Sequence, residues 1–208
     1  DKYLDLFPET QISKENFFKS QSDLELYIQG LYNFPSSGIY EADATTDNAS
    51  STGNIEVKNV MLGNVSAANT TGGWDWGQLR NVNFFLENFG KAEVAEDVLK
   101  HYEGLARYFR ARFYVTKVQR FSDVPWVDQV ILPDNEALLL GSRDPRDFVV
   151  SKIMEDFEFA AAHVKPGSVI GSVNKWVVLL EFSRFALYEG TYRKYHNELN
   201  LESTANQF

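Results

Sequence analysis

The chain has 208 residues, of which 44% are hydrophobic and 14% aromatic, so it has enough apolar material to fill one good-sized core. Its 29 acidic and 20 basic side chains give a net charge of -9 at neutral pH, which disfavours binding to a nucleic acid backbone or to anionic lipid. Cysteine is absent, which excludes disulfides and cysteine metal ligands, and there is no run of about 18 uncharged apolar residues to form a membrane helix.

A first helix is predicted after the polar segment 1–11. Ser22 and Glu25 have the spacing of a capping box, in which a hydroxyl and a carboxylate each bond to an exposed N–H group at the start of a helix. The helix should end just before Pro35, because proline disfavours helix in the residue that precedes it. Its apolar face consists of Leu24, Ile28 and Leu31.

The segment from Ser36 to Gly73 is rich in Ser, Thr, Asn, Asp and Gly. Its one short apolar alternation, at Ile55 and Val57, suggests a strand or an extended segment. A connection of this length in a compact domain is usually functional or poorly ordered. Both a binding loop and a variable solvated loop therefore fit the pattern.

Helical periodicity returns at Trp76 and stops at Gly90, because glycine suits the left-handed conformation that ends many helices. The next segment, which ends before Pro125, is the strongest predicted helix. Its apolar residues recur at intervals of three or four: Val94, Val98, Tyr102, Leu105, Phe109 and Phe113. Its outer face is expected to carry acid-to-base pairs four residues apart, Glu96 with Lys100 and Glu103 with Arg107.

Two more helices follow a linker over Leu132 to Gly141. Asp144 and Pro145 open the first, as N-cap acceptor and as first-turn proline, and its predicted buried stripe is Val149, Ile153, Phe157, Ala160 and Val164. The second should begin near Asn174 and end at Gly190, with a buried face of Trp176, Val177, Leu180 and Leu187. Helices joined by short turns pack as antiparallel hairpins, so the predicted fold class is all-α.

Five blocks of the sequence carry a resemblance to a known family. The most specific runs from Glu103 to Tyr114 and continues through Ser122-Asp123-Val124-Pro125. The others are Tyr3 to Pro8, Leu79 to Leu86, Arg143 to Arg146 with Ile153 to Phe157, and Ala186 to Tyr192. In this order they resemble the SusD/RagB family of outer-membrane lipoproteins, whose signature is an E-A-R-F-L-R-A helix leading into a G-D-V-P turn. Gly104 and Ser122 depart from the commonest residues of that signature.

The resemblance implies tetratricopeptide-like helix hairpins with long polar loops, and residues 1–208 as the amino-terminal part of a SusD-like domain, truncated at the carboxy end. It implies that the protein binds a polysaccharide or oligosaccharide at the cell surface and delivers it to a SusC-like, TonB-dependent transporter, without catalysis. The expected location is the outer membrane of a Bacteroidetes-type cell. Since the chain lacks a signal sequence, Asp1 is expected to begin a processed or recombinant mature chain, with a lipid anchor on a residue before it.

A sugar site needs flat aromatic faces for pyranose C–H groups, and carboxylate or amide groups for the hydroxyls. Trp74 follows two glycines and is expected to be exposed at the mouth of a helix. Trp76 is a second candidate, although it falls in register with the apolar stripe that follows and is more typical of a core residue. Asp43, Asp47 and Asn48 belong to the polar loop that borders the sugar site in the family, and ordinary Asx turns are the alternative for them.

Catalysis is not predicted, because nothing in the sequence holds two carboxylates at the separation that glycoside hydrolysis requires. His101, His163 and His196 lack the spacing of a helical metal site, so neither a metal nor another cofactor is expected. A helical-repeat adaptor that binds a protein or peptide is the alternative function. A glycosidase is a more remote one.

Overall fold

The computed structural model describes residues 17–32, 56–66, 68–69, 72–132, 134–167, 169–199 and 201. These residues form α-helices and two short 3₁₀ helices with no β-strand among them, so the predicted all-α class is confirmed. The α-helices are α1 (Gln21–Gly30), α2 (Glu56–Met61), α3 (Gly77–Asn88), α4 (Glu96–Phe121), α5 (Glu136–Leu139), α6 (Arg146–His163) and α7 (Lys175–Tyr195). The chain divides into two compact units, Asp1–Leu31 with Trp76–Phe208, and Tyr32–Asp75.

Helix α4 is the central helix of the first unit and packs against α1, α3, α6 and α7. The residues of its predicted stripe from Tyr102 onward are buried. Burial extends round most of the helix between Tyr102 and Val118, which is more than an amphipathic period indicates. A solvated face remains in the first turns, where the predicted pair of Glu96 and Lys100 forms at 2.6 Å.

Helices α4, α6 and α7 form successive antiparallel hairpins. Arg146, at the start of α6, donates to the carbonyl of Val118 near the end of α4 at 3.1 Å. Lys165, just beyond α6, pairs with Asp97 in the first turn of α4 at 2.6 Å. The N–H group of Lys175, at the start of α7, donates to the carbonyl of Lys165, so α7 runs back along α6.

Helix α1 packs through the predicted apolar face, and its residues Leu24 and Ile28 are buried together with Leu31. Phe18, which precedes the helix, is also buried, and its ring lies 5.7 Å from that of Phe85 in α3. These contacts hold residues 17–31 against α3.

The cap of α1 lies two residues before the predicted one. Ser20 and Asp23 form the capping box, and α1 begins at Gln21. The carboxylate of Asp23 accepts the N–H groups of both Ser20 and Lys19, at 2.9 and 3.1 Å. This double acceptor satisfies more backbone donors than the predicted pair of Ser22 and Glu25, and Ser22 lies inside the first turn.

The start of α6 is capped by a different aspartate from the one predicted. Pro145 is the N-cap residue and offers no side-chain bond to the helix. Asp123 instead accepts the N–H group of Arg146 at 3.0 Å, while Asp144 accepts that of Trp126 at 2.7 Å. The predicted buried stripe of α6 is confirmed, since each of its members is at most 2% exposed: Val149, Ile153, Phe157, Ala160 and Val164.

The predicted buried face of α7 is wrong, although Asn174 caps the helix as predicted. Trp176, Leu180 and Leu187 are 65%, 58% and 72% exposed. The buried residues are Val178, Phe185, Glu189 and Arg193. Both sides of α7 carry apolar residues, and buried ion pairs rather than apolar content decide which side faces inward. The helix also continues past Gly190 to Tyr195.

Two segments predicted without helix are helical. Glu56–Met61 forms α2, so an extended conformation at Val57 is wrong, and Ile55 lies outside the described residues. A pair of apolar residues two positions apart is too short to distinguish a strand from a helical turn. In the predicted linker, α5 forms a single turn that the side chain of Asn135 caps.

Candidate functional site

Trp74 lies on an exposed turn, as its sequence neighbours predicted. Gly73 has a φ of 85°, in the left-handed region that glycine adopts without a Cβ penalty. Trp74 is 42% exposed, which leaves much of its indole accessible. Asp75 is exposed beside it, so a flat apolar surface and a carboxylate acceptor occur in adjacent residues. This combination suits a saccharide, which presents C–H faces and hydroxyl groups together.

Trp76 is half-buried immediately before α3. Its ring centroid lies 5.5 Å from that of Phe113 and 6.2 Å from that of Tyr114, both in α4. The Nζ atom of Lys117 lies 5.2 Å from the ring, which is a cation–π distance. Trp76 therefore anchors the start of α3 to α4, in agreement with its register in the apolar stripe. Only the exposed part of the indole remains for a ligand.

Trp126 is a half-buried aromatic residue whose packing was not predicted from the sequence. Its ring stacks on that of Tyr114 at 4.3 Å, and the guanidinium of Arg110 lies 5.2 Å from it. The Tyr114 hydroxyl accepts the N–H group of Val127 at 2.7 Å and donates to the carbonyl of Pro125. Burial raises the pKa of the Tyr114 hydroxyl. Its position in the sequence, directly after the turn that ends the longest helix, could have indicated that Trp126 packs against that helix.

The remaining predicted site residues, Asp43, Asp47 and Asn48, lie outside the described residues. Two surface grooves run along α7, and no predicted site residue lines either of them. The first is lined by Arg184, Leu187, Tyr188, Thr191, Tyr192, Tyr195 and His196. The second has Arg112, Gln119 and Glu181 among its polar lining residues, and Phe157 and Phe185 among its apolar ones.

Two further features bear on chemistry. Within the part of the chain that the structure describes, no group of three or more His, Cys, Asp or Glu side chains is arranged to hold a metal ion. In the same residues, no helix combines the length and the hydropathy of a membrane span.

No protein-family model matches the sequence. The chain is 23% identical over 214 residues to the SusD-like protein P25 of Formosa agariphila, in an alignment that covers 91% of this chain and 40% of that protein. The crystal structure of a SusD-like protein from Bacteroides fragilis superposes with a TM-score of 0.71 at 22% identity, covering 90% of this chain and 38% of its own. The chain has a SusD-like fold. A SusD-like carbohydrate-binding protein from Bacteroides vulgatus superposes with a TM-score of 0.61 at 19% identity, over 82% of this chain and 42% of its own.

The predicted resemblance to SusD-like proteins is thus confirmed over the aligned residues, in sequence by one relative and in fold by two solved structures. The chain spans about two-fifths of the length of these relatives, since the alignments cover 38% to 42% of each.

The motifs that carry the SusD/RagB resemblance meet in the fold as buried ion pairs. Arg110, from the signature helix, donates to both oxygens of Asp156 at 2.6 and 2.8 Å. Arg107 adds a bond to Asp156 at 3.4 Å and forms the predicted pair with Glu103 at 2.7 Å. Asp156 is 1% exposed, so this carboxylate of α6 is bonded to one buried guanidinium of α4, that of Arg110, and to the partly exposed guanidinium of Arg107.

A second group, the Glu189 cluster, consists of Arg146, Asp147, Glu189 and Arg193. The Nε and Nη2 atoms of Arg146 donate to the two Glu189 oxygens at 3.1 and 2.6 Å, and the Nε atom of Arg193 donates to Glu189 at 2.8 Å. Arg193 also pairs with Asp147. Burial alone would lower the pKa of Arg146, but its bonds to Glu189 raise it. The cluster fixes the rotation and register of α7 on α6.

The turns of the two SusD/RagB motifs are joined as a pair. The N–H group of Asp144 donates to the carbonyl of Val124 at 3.2 Å, in an isolated antiparallel bridge. The carboxylates of Asp123 and Asp144 each accept one backbone N–H group from the opposite turn, those of Arg146 and Trp126. These motif residues therefore hold the helices together. This structural role accounts for their presence without a contact to any ligand.

Both departures from the family signature have a structural meaning. Ser122 has φ 61° and ψ -85°, a conformation that glycine, the residue expected there, adopts without steric cost. Gly104 faces the end of α6, where an added Cβ would lie 2.9 Å from the Cγ2 atom of Val164. The glycine therefore permits a close approach of the two helices.

Proposed function

We propose that this chain is part of a glycan-binding protein of the bacterial outer surface, which binds polysaccharide or oligosaccharide without chemically changing it. The observation that carries the proposal is the exposed indole of Trp74 on a turn made by Gly73, next to an exposed carboxylate. The SusD-like fold supports it, because one protein of that fold, from Bacteroides vulgatus, is a carbohydrate-binding protein.

Sugar binding by such a site rests on stacking and on hydrogen bonds. An indole stacks on the C–H face of a pyranose, and carboxylate or amide groups accept hydrogen bonds from its hydroxyls. Asp43, Asp47 and Asn48 stay predicted partners for those hydroxyls, and Trp76 stays a predicted secondary contact. An open surface site of this kind makes few interactions with its ligand. Its affinity is modest, because the free energy of those interactions exceeds the cost of association by only a small amount.

The test is calorimetric titration of the intact protein with a panel of soluble polysaccharides. Trp74→Ala should weaken binding at least about tenfold, the loss typical of a central aromatic contact. Leu62→Ala is a matched control, because Leu62 is 72% exposed and belongs to the same compact unit as Trp74. Trp74→Phe should recover part of the affinity.

Equal affinity in the parent and in Trp74→Ala would contradict the stacking role. An intact protein that binds no saccharide in the panel would favour the alternative, a helical-repeat adaptor for a protein or peptide. Release of reducing ends from the same polysaccharides would indicate a glycosidase.

We further propose that the protein is held at the outer membrane by a lipid on a residue before Asp1, and that it delivers glycan to a SusC-like, TonB-dependent transporter. These two steps follow from the family resemblance. Incorporation of labelled fatty acid into the full protein tests the anchor. Co-purification of a TonB-dependent transporter with the full protein from detergent-solubilised outer membranes tests the partner, and recovery of the protein alone from gently solubilised membranes would contradict it.

A further inference from the structure

The turn between α6 and α7 carries two apolar side chains at its most exposed point. Val169 is 71% exposed and Ile170 is 99% exposed, the highest value among the large apolar residues that the structure describes. We call these two residues the α6–α7 tip. Gly171 follows with a φ of 83°, which suits the third residue of a tight turn. Such turns are usually built from glycine, proline and small polar residues, so two exposed aliphatic side chains at this position are unusual.

Hydrogen bonds fix the shape of the turn that presents the tip. The carbonyl of Val169 accepts both the N–H group and the hydroxyl of Ser172, at 3.2 and 2.7 Å. At the base of the turn, the carbonyl of Lys165 accepts the N–H group of Lys175 at 3.2 Å. The tip is therefore held on a closed turn. The Val169 carbonyl already has its partners, which lowers the cost of moving it out of water.

The tip lies at the end of the first unit where the described chain begins. Lys165, at the base of the turn, pairs with Asp97 in the first turn of α4 at 2.6 Å. Glu93, just before α4, donates its N–H group to the carbonyl of Lys19 at 3.1 Å. The first described residues and the α6–α7 tip therefore share one end of α4.

The predicted secondary sugar contact, Trp76, lies toward the opposite end of α4. Its ring centroid is 5.5 Å from that of Phe113. Phe113 is separated from Asp97 by about 24 Å along the axis of α4, at 1.5 Å for each residue. A surface bound at the tip would therefore leave Trp76 directed away from it.

The charge at the tip end differs from that of the whole chain. The terminal helical turns and the loops described at this end contain four lysines and five acidic residues, so their net charge is -1, against -9 for the chain. These residues are Lys19, Lys91, Lys165 and Lys175, with Asp23, Glu87, Glu93, Glu96 and Asp97. Little of the net charge therefore opposes the approach of an anionic surface at this end.

The chemistry of the tip favours lipid over protein or saccharide. Two side chains are too small an area for a specific protein interface, which buries about 800 Å² on each partner. Neither Val169 nor Ile170 has a side-chain group that could hydrogen-bond to a saccharide hydroxyl. A bilayer has no fixed shape to match, and aliphatic side chains gain free energy simply by leaving water.

We propose that the α6–α7 tip inserts into the surface of the lipid bilayer and orients the protein on the membrane. The inference rests on the lipid anchor proposed above, because an anchor before Asp1 brings the membrane within reach of the amino-terminal end. A single acyl chain gives only marginal, reversible membrane binding, and stable attachment takes a second contact. The tip supplies that contact and directs the opposite end of α4 outward.

Fluorescence of a labelled tip on vesicles tests the proposal. The protein encoded by the complete gene is prepared without a lipid, with a histidine tag before Asp1 and with any cysteine outside residues 1–208 replaced by serine. A polarity-sensitive dye is attached to Ile170→Cys. The matched control is Leu140→Cys, because Leu140 is apolar, 82% exposed and close in sequence to the Val124–Asp144 bridge at the other end of α4 and α6. The tag holds both proteins on phosphatidylcholine vesicles that contain a nickel-chelating lipid.

The dye at position 170 should emit at a shorter wavelength on vesicles than in buffer, and a nitroxide-labelled lipid should quench it. The dye at position 140 should show neither effect. Equal responses at the two positions would overturn the proposal. A dye at position 170 that is already shielded in buffer would also overturn it, because protein would then cover the tip.

Release from the same vesicles measures the contribution of the tip to attachment. Ile170→Ser should speed dissociation at least about tenfold, the loss expected when one large aliphatic side chain is no longer buried. Leu140→Ser should leave the rate unchanged, and an equally small effect of both changes would contradict insertion. Since the tag replaces the natural lipid, failed insertion would refute the tip alone, and failed fatty-acid labelling would refute the anchor alone.

Discussion

The Glu189 cluster should contribute strongly to stability, and replacing Glu189 with alanine is expected to cost about 3–5 kcal/mol. Glu189 is fully buried, and its two oxygens accept three N–H groups, two from Arg146 and one from Arg193. The alanine variant keeps both guanidiniums in the interior but removes the carboxylate between them. The expected loss is therefore that of a broken buried ion pair rather than that of a surface pair.

Urea unfolding followed by the far-ultraviolet circular dichroism of the helices measures this loss. Glu181→Ala is the matched control, because Glu181 lies on the same helix and pairs with Arg184 at 3.2 Å, where the Arg184 side chain is 70% exposed. That pair should contribute at most about 0.5 kcal/mol. If the two variants lose equal stability, or if Glu189→Ala loses less than about 1 kcal/mol, the cluster does not hold α7 as inferred.

Three other changes test separate contacts. Ser122→Gly should stabilise the fold by about 1 kcal/mol, because it relieves a left-handed serine, and a lowered urea midpoint would contradict the strain at this turn. Phe157→Ala should cost about 3–5 kcal/mol, because the ring is 1% exposed and stacks on Phe182 at 5.4 Å, and a loss below about 1 kcal/mol would show that the site is not closely packed. His101 accepts the N–H group of Lys165 at 3.1 Å, and burial, followed by the charge of Lys165, lowers its pKa from 6.5. The fold thus favours neutral His101. Its contribution to the free energy of unfolding is present above pH 6.5 and is lost as the pH falls through the lower folded-state pKa. His101→Gln should accordingly narrow the stability difference between about pH 7.5 and 5.5, and an unchanged difference would exclude this role.

The helices whose buried side is also their more apolar side were predicted correctly from the sequence. The stripe of α6 is the best case, because Val149, Ile153 and Phe157 recur at intervals of four residues and are all buried. Helix α7 failed because Glu189 and Arg193 occupy its buried side. Their burial depends on Arg146, which is 43 residues from Glu189 in the chain, and a local period carries no information about such a partner.

Caps and site residues show the same division between local and distant causes. The exposure of Trp74 was predictable because Gly73, its neighbour, makes the turn. Asp123 as the cap of α6 was not predictable from the local sequence, since it reaches across 23 residues to Arg146. The packing of Trp126 was not predicted for a similar reason, because its stacking partner Tyr114 belongs to the preceding helix.

The paired turns at the ends of α4 and α6 also determine where this scaffold tolerates new sequence. The bridge between Val124 and Asp144 closes the intervening segment into a ring. Residues 127–130 of this ring bond to Asn83, Glu87 and Tyr114 of the helices. Doubling the length of a flexible loop costs only about 0.6 kcal/mol of closure entropy. Insertions near Leu132 to Leu140 can therefore change the size and chemistry of the exposed surface while the helix packing below is preserved.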